Sequence, residues 1–310
     1  MTNKVSKEWF MQMPWGKVAM ISWGESSKPP ILMVHGYMDT AATFTRLLEH
    51  MPDTYYYVSF DFPGHGKSEY LPVAPPSTQT LLVEVVRRIV DHMGWESFIF
   101  LAHSMAFVIG LCYNNAFPGR IERMIAIDPT IPLSAHYNVS HNFQWWFKFN
   151  YQYYYDSYHK NYKNMKNASK LYTYEQAVAA MMKARSLTRE QVEHLLTRCL
   201  VPADNGLYRM TFQSATMRTI YSTWLPEYAL DYVIKSNPPP AIIINATKHM
   251  LTPDLEKFAK KLMKIYTEPS NVHQNVYAEG KHDVHITNPQ GVASHIIEFL
   301  KRPIAAKSKL

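Results

Sequence analysis

In the stretch 98–110, Phe-Ile-Phe-Leu-Ala-His-Ser-Met-Ala-Phe-Val-Ile-Gly, one hydroxyl, Ser104, stands between an apolar strand-like run and an apolar helix-like run. A serine held on a tight strand-to-helix turn is presented to solvent as a nucleophile. The pattern that builds such a turn is Gly-x-Ser-x-Gly, whose small residues let strand and helix pass close together while the serine takes a strained conformation. Here both flanking positions are alanine, Ala102 and Ala106, small enough for the packing but poor at positive φ. Covalent acyl transfer also needs a base for the serine proton, a carboxylate to orient that base, and amide donors for the oxyanion. Imidazoles occur near the carboxyl end, where Gly280-Lys281-His282-Asp283-Val284-His285 precedes Pro289. Read as a His-x-x-His metal site, His282 and His285 lack a third ligand nearby, so no metal is expected.

Such groups need elements to position them, and the chain alternates strands and helices. A hairpin is expected over residues 10–23 around Pro14-Trp15-Gly16, then a strand at 31–34 ending in His35-Gly36-Tyr37-Met38-Asp39. A strand at 55–60 ends in Asp61-Phe62-Pro63-Gly64-His65-Gly66-Lys67-Ser68, and residues 77–93 carry helical spacing through Leu81, Leu82, Val85, Val86, Ile89 and Val90. The strand before Ser104 covers 98–101, and a strand at 121–127 ends in Asp128-Pro129. Late in the chain come a strand at 241–245, a helix at 253–265, a strand at 271–277 and a helix at 289–300. Strand, helix and strand at this spacing imply an α/β fold, with a mostly parallel central sheet covered on both faces and ligand chemistry at the strands' carboxyl ends. Each polar motif falls at such an end.

Between about residues 130 and 225 the alternation stops, and the segment reads as an inserted helical lid. The chain therefore divides into a core of 1–129 and 226–302, a lid insertion of 130–225, and a tail of 303–310. Eleven of the twenty-two residues from 137 to 158 are aromatic. This stretch must bury a large apolar face, against the core, a ligand or both, and Phe143, Trp145, Trp146 and Phe149 are candidate substrate contacts. Lys148, Lys160, Lys163, Lys166 and Lys170 follow, read first as an ordinary solvated face and second as a face favouring an anionic amphiphile.

The 310 residues are 47% apolar and 14% aromatic, ample for a full-sized core. The formal charge of +7 has no arginine-rich stripe behind it, so nucleic-acid binding is not expected. Two cysteines, Cys112 and Cys199, imply neither a disulfide framework nor a zinc site, and fit a reducing compartment. No signal peptide opens the sequence, and the longest apolar run, 98–113, is interrupted by His103 and Ser104, so no transmembrane segment is expected. Gly64 and Gly66 carry no dinucleotide fingerprint, no phosphate-binding loop is visible, and no cofactor is expected. Ser308-Lys309-Leu310 reads as an address for the peroxisomal import receptor, which makes the peroxisome the expected compartment and the cytoplasm the alternative.

Together, His35-Gly36, the Asp61-x-x-Gly64-x-Gly66-x-Ser68 loop, the small-x-Ser104-x-small turn and the late His282 resemble the α/β-hydrolase fold over nearly the whole chain. More narrowly, Met13-Pro14-Trp15-Gly16-Lys17-Val18-Ala19 with Ser22-Trp23-Gly24, the segment Tyr56-Tyr57-Val58-Ser59-Phe60-Asp61-Phe62 and the terminal tripeptide resemble the serine hydrolase-like proteins. The resemblance implies Ser104 as nucleophile and His282 as base, because the family's histidine stands seven residues before the proline that opens the final helix. Many relatives place the acid in a Gly-x-x-Asp-x-x-x-Pro loop, but the corresponding Ala246-Thr247-Lys248-His249-Met250-Leu251-Thr252-Pro253 has His249 there. Asp128, at a strand end that some members use, is then the expected acid, with Asp254 second. The backbone N–H groups of Tyr37 and Met105 are the expected oxyanion donors. What the resemblance implies is a serine hydrolase acting on a carboxylic ester or thioester of a hydrophobic acyl group, its partner a small-molecule acyl substrate. The competing expectation is a catalytically weak protein of the same fold that binds a small apolar ligand, suggested by the two alanines and by His249.

Overall fold

In a computed structural model, the structure describes residues 6–70, 79–129, 170–211, 235–248 and 273–303, with three single positions between 144 and 152. Phe143, Trp145, Trp146, Phe149, His249, Asp254, the helix expected at 253–265 and the tripeptide Ser308-Lys309-Leu310 lie outside the described residues.

β1 (Ser6–Met13) and β2 (Gly16–Trp23) make a tight antiparallel hairpin, paired from Ser6 with Trp23 to Met13 with Gly16. β3 (Pro30–Val34), β4 (Tyr56–Phe60), β5 (Phe98–His103), β6 (Ile121–Ile127), β10 (Ala241–Ala246) and β11 (His273–Ala278) complete an eight-stranded sheet of order β1-β2-β4-β3-β5-β6-β10-β11. From β4 to β11 every pairing is parallel. The helices are α1 (Thr45–Leu48), α2 (Gln79–His92), α3 (Ala106–Ala116), α6 (Val284–Thr287) and α7 (Pro289–Lys301), with a short 3-10 turn at Ala41–Phe44. Side chains of a strand alternate between sheet faces, and β5 shows the consequence. Phe98, Phe100 and Ala102 join the core beneath α2 and α3, while Ile99 and Leu101 join the opposite core beneath α1 and α7. Both faces are covered, which is why these strands read as continuous apolar runs rather than as alternating ones.

The described part of the insertion holds α4 (Tyr174–Arg185) and α5 (Arg189–Cys199), each started by a capping box, Thr173 with Gln176 and Thr188 with Gln191. The sequence reading expected a helical insertion, but the described part also contains strands. β7 (Leu171–Tyr172), β8 (Leu200–Pro202) and β9 (Tyr208–Met210) pair antiparallel into a small sheet of order β7-β9-β8. Strands of two or three residues are too short to show a period of two, so the sequence carries no sign of them. The apolar faces of α4 and α5 meet Ala42 of the 3-10 turn and Ile286 of α6 in a third core. This hairpin thus sits on the two loops that follow β3 and β11.

Candidate active site

The site is built where parallel strands end. Ser104 follows β5 with φ of +57°, and its N–H donates to the Ile127 carbonyl at 3.0 Å, so the turn is pinned to β6. The strained φ falls on the serine alone. Ala102 lies within β5 and Ala106 begins α3, and neither is among the residues of positive φ, so alanine serves as well as glycine where only small size is required. Asp128 follows β6, also with positive φ (+41°), and its N–H donates to the Ile244 carbonyl at 2.8 Å. Met38, after β3, is the third non-glycine residue of positive φ at these strand ends (+54°). Backbone strain of this kind persists only where surrounding structure holds it, and it gathers at functional sites.

The side chains complete a hydrogen-bonded line. His282 Nε2 lies 2.9 Å from Ser104 Oγ, and His282 Nδ1 lies 2.6 Å from Asp128 Oδ2. With the Nδ1 proton donated to the carboxylate, Nε2 is the acceptor for the serine hydroxyl. The other carboxylate oxygen of Asp128 accepts the Ala246 N–H at 2.9 Å. The end of β10, from which many relatives supply the acid, here supplies an amide that orients an acid on the neighbouring strand. Ser104 and Asp128 are buried, whereas His282 keeps 46% of its side chain exposed, so the line opens to solvent at the imidazole. Burial alone would make His282 less basic, but the hydrogen bond and charge of Asp128, with Asp283 adding, outweigh it and raise its pKa above the ordinary value.

Met105 follows Ser104 in the chain, and the turn that carries Tyr37 lies beside the serine. Met105 is the N-cap of α3, where helical N–H groups have no intrahelical acceptor. The Gly36-Tyr37 turn runs so close to the serine that a β-carbon on Gly36 would stand 2.9 Å from Ser104 Cβ and 3.1 Å from His103 Nδ1. His35 holds this turn: its Nδ1–H donates to the Gly36 carbonyl at 2.8 Å, and Nε2 accepts the Phe62 N–H at 3.0 Å. His103 Nε2 donates to the His282 carbonyl at 3.1 Å and so holds the loop that carries the base. His285 is wholly buried against Thr43, with Nε2 at 2.6 Å from Thr43 Oγ1, and its ring packs 4.1 Å from that of His103. Burial keeps His35 neutral with a pKa of about 4, and His285 with a pKa of about 3.

Beneath these loops is a charged group that sequence reading did not anticipate. Arg185, the last residue of α4, donates from Nη1 and Nη2 to both oxygens of Asp39 at 2.9 Å, and from Nε and Nη2 to Asp283 at 2.9 and 2.5 Å. Asp39 and Asp283 are buried, and Arg185 is largely so. Burial alone would raise the Asp39 pKa, but the Arg185 guanidinium beside it drives the carboxyl far below the usual range. Asp39, His103, Asp283 and His285 offer ligand atoms within 4.8 Å of one another, and both carboxylates already share the one guanidinium of Arg185, whose charge offsets one of the two. The partners of Arg185 lie 146 and 98 residues away in sequence, and nothing local marks them. A parallel pair, Arg198 of α5 with Asp61 at 2.8 and 3.0 Å, fixes the loop after β4, where Asp61 also accepts the Ala41 and Lys67 N–H groups. A β-carbon on Gly66 would stand 2.2 Å from Asp61 Cγ, which is why that loop carries glycine.

A parallel sheet with an elbow serine, a late histidine and a strand-end acid defines a class, and residues 29–289 match the family of the alpha/beta hydrolase fold; the chain belongs to that family. Within it, the chain is similar to the serine hydrolase-like protein of Danio rerio, 28% identical over 96% of this chain and 90% of that one. It is likewise similar to serine hydrolase-like protein 2 of Homo sapiens, 27% identical over 94% of this chain and 93% of that one. Among solved structures it is similar to the hypothetical protein PA1622 from Pseudomonas aeruginosa PAO1, with a TM-score of 0.77 and 23% identity, covering 96% of this chain and all of that one. The thioesterase domain from the curacin biosynthetic pathway has the same fold, with a TM-score of 0.73 and 18% identity, covering 94% and 99%.

Proposed function

We propose that the protein is a serine hydrolase that cleaves a carboxylic ester, or a thioester, of a hydrophobic acyl group through an acyl-enzyme. The observation that carries this reading is the line Ser104 Oγ, His282 Nε2, His282 Nδ1, Asp128 Oδ2, hydrogen-bonded at 2.9 and 2.6 Å. Ser104 Oγ attacks the acyl carbon as His282 takes its proton, and Asp128 stabilises the resulting imidazolium. The carbonyl oxygen, now negative, is received by the Tyr37 and Met105 N–H groups. His282 then returns the proton to the leaving alcohol or thiol, and a water activated by the same imidazole releases the acid. The preference for an apolar acyl group rests on the aromatic-rich stretch 137–158, with Phe143, Trp145, Trp146 and Phe149 as its contacts. The relatives' names support hydrolase chemistry, and the thioesterase title of one neighbour keeps thioesters within the class to be tested.

A fluorophosphonate probe on wild type and Ser104→Ala tests the reading, since the probe needs an activated serine. Labelling of wild type alone is expected, and absence of Ser104-dependent labelling would overturn the enzyme reading in favour of a ligand-binding protein of this fold. Purified protein assayed on p-nitrophenyl esters and acyl thioesters of increasing chain length then ranks the substrates.

A further inference from the structure

We infer that Arg185 is a positioning residue for acyl transfer, a brace from the insertion that holds the Tyr37 loop and the His282 loop in register across Ser104. The inference rests on the acyl-transfer reading above. Asp39 stands two residues after Tyr37, and Asp283 stands immediately after His282. One guanidinium grips both carboxylates through four hydrogen bonds of 2.5 to 2.9 Å. The planar fork fixes direction as well as charge, so the separation of the two loops is set by the shape of the side chain. Arg185 ends α4, where a cation is also favoured by the carbonyl end of the helix. Its neighbours reinforce the join: Lys281 Nζ donates to Ser186 Oγ at 3.0 Å, and Gln191 Nε2 donates to the Ile286 carbonyl at 3.4 Å.

The placement has an energetic sense. A buried carboxylate is costly unless paired, and the Asp39 carboxylate is attached to a loop whose backbone is already strained at Met38 and closely packed at Gly36. The ion pairs tie the insertion to the core without touching Ser104. Cover and catalytic geometry are thereby one unit: if α4 shifts, both loops shift with it.

Arg185→Lys keeps the charge and removes the fork. With p-nitrophenyl butyrate as substrate, it should remain folded and lose about 10- to 100-fold in kcat, the scale expected of misplacement by an ångström, with KM changed far less. Arg185→Gln adds a second readout. His282 faces Asp128 at the end of β6, Asp283 beside it, Arg185 from α4, the hydroxyl of Ser104, and the neutral imidazoles of His103 on β5 and His285 on α6. Removing the Arg185 cation frees Asp283 to favour the imidazolium, so the acid limb of the pH–rate profile should move to higher pH. A residue that only stabilises the fold would leave that limb in place.

If the single variants fail to fold, the neutral triple variant Asp39→Asn, Asp283→Asn, Arg185→Met removes every charge of this cluster at once. A cooperative melt with low kcat supports the brace. Restored kcat in the triple variant, wild-type kcat in Arg185→Lys, or loss of folding in all of them assigns the ion pairs to stability alone and overturns the inference. Labelling at Ser104 in wild type separates the two levels: its absence removes the acyl-transfer reading and the brace with it, whereas labelled wild type with an unimpaired Arg185→Lys removes only the brace.

Discussion

His282 has to be neutral to accept the Ser104 proton, and its surroundings work against neutrality. Burial favours the uncharged ring, yet the hydrogen bond and charge of Asp128 raise the pKa above the ordinary value of about 6.5. In the proposed mechanism the rate then requires the deprotonated form, so kcat/KM should climb with pH through an apparent pKa above about 6.5. Asp128→Asn removes the anion on which this depends. Turnover should fall by about four orders of magnitude, as in triads where the acid is made neutral. What turnover remains should show its acid limb at lower pH, because the main influence opposing burial is gone. A pH–rate profile on a short ester measures both, and a limb unchanged by Asp128→Asn would leave that carboxylate without the role assigned to it.

At the scale of elements, the site depends on how closely the turn after β3 approaches the turn after β5. Gly36→Ala would place a β-carbon 2.9 Å from Ser104 Cβ, and neither strand end can give way, since β3 and β5 are paired through Val34 with Ala102. The Tyr37 loop must move instead. Fluorophosphonate labelling should slow by about 100-fold while far-UV circular dichroism and cooperative melting persist, and labelling at the wild-type rate would show that this turn does not contribute an oxyanion donor. The strands that carry this geometry were legible because they are buried on both faces and so read as unbroken apolar runs: β3, β5, β6 and β10 lie within a residue or two of where hydropathy places them. The strand-end motifs were legible because polar residues are costly there without a purpose. Short elements left no trace, which is why α1, α6 and the β7-β9-β8 sheet appear only in three dimensions. Arg185 was illegible for a different reason. A lone arginine in a helix has no period or spacing to mark it, and its value comes from two aspartates brought beside it by the fold.

Across the whole molecule, the loops behind the site are held by uncharged imidazoles. Burial is the first cause that lowers the pKa of His35 to about 4 and of His65 and His285 to about 3, and it holds His103 well below the ordinary value, with His285 and His282 adding to the effect. In the unfolded chain each would titrate near 6.5. Between that value and the folded pKa, the unfolded state binds a proton that the folded state refuses. Each such histidine therefore contributes stability that is fully present above about pH 6.5 and is lost as pH falls, at up to about 1.4 kcal/mol per pH unit. His282, raised in the folded state, works in the opposite sense, gaining stability at low pH and losing it as pH rises through its folded pKa. Among the described residues these four and His194, whose pKa burial also lowers, stand against one, which leaves a net loss on acidification, and a domain's total stability is only about 5–15 kcal/mol. The melting temperature should accordingly fall steeply between pH 6.5 and 4.5, with unfolding near pH 5.5 accompanied by net proton uptake measurable by calorimetry in buffers of different ionisation enthalpy. His65 offers the cleanest single test, because its Nδ1–H donates only locally, to the Pro63 carbonyl at 3.2 Å, and Nε2 is buried without an acceptor or donor. His65→Gln should flatten the pH dependence by about one proton, and a melting temperature constant from pH 7 to 5 in the wild type would contradict the assignment of these rings as buried and neutral.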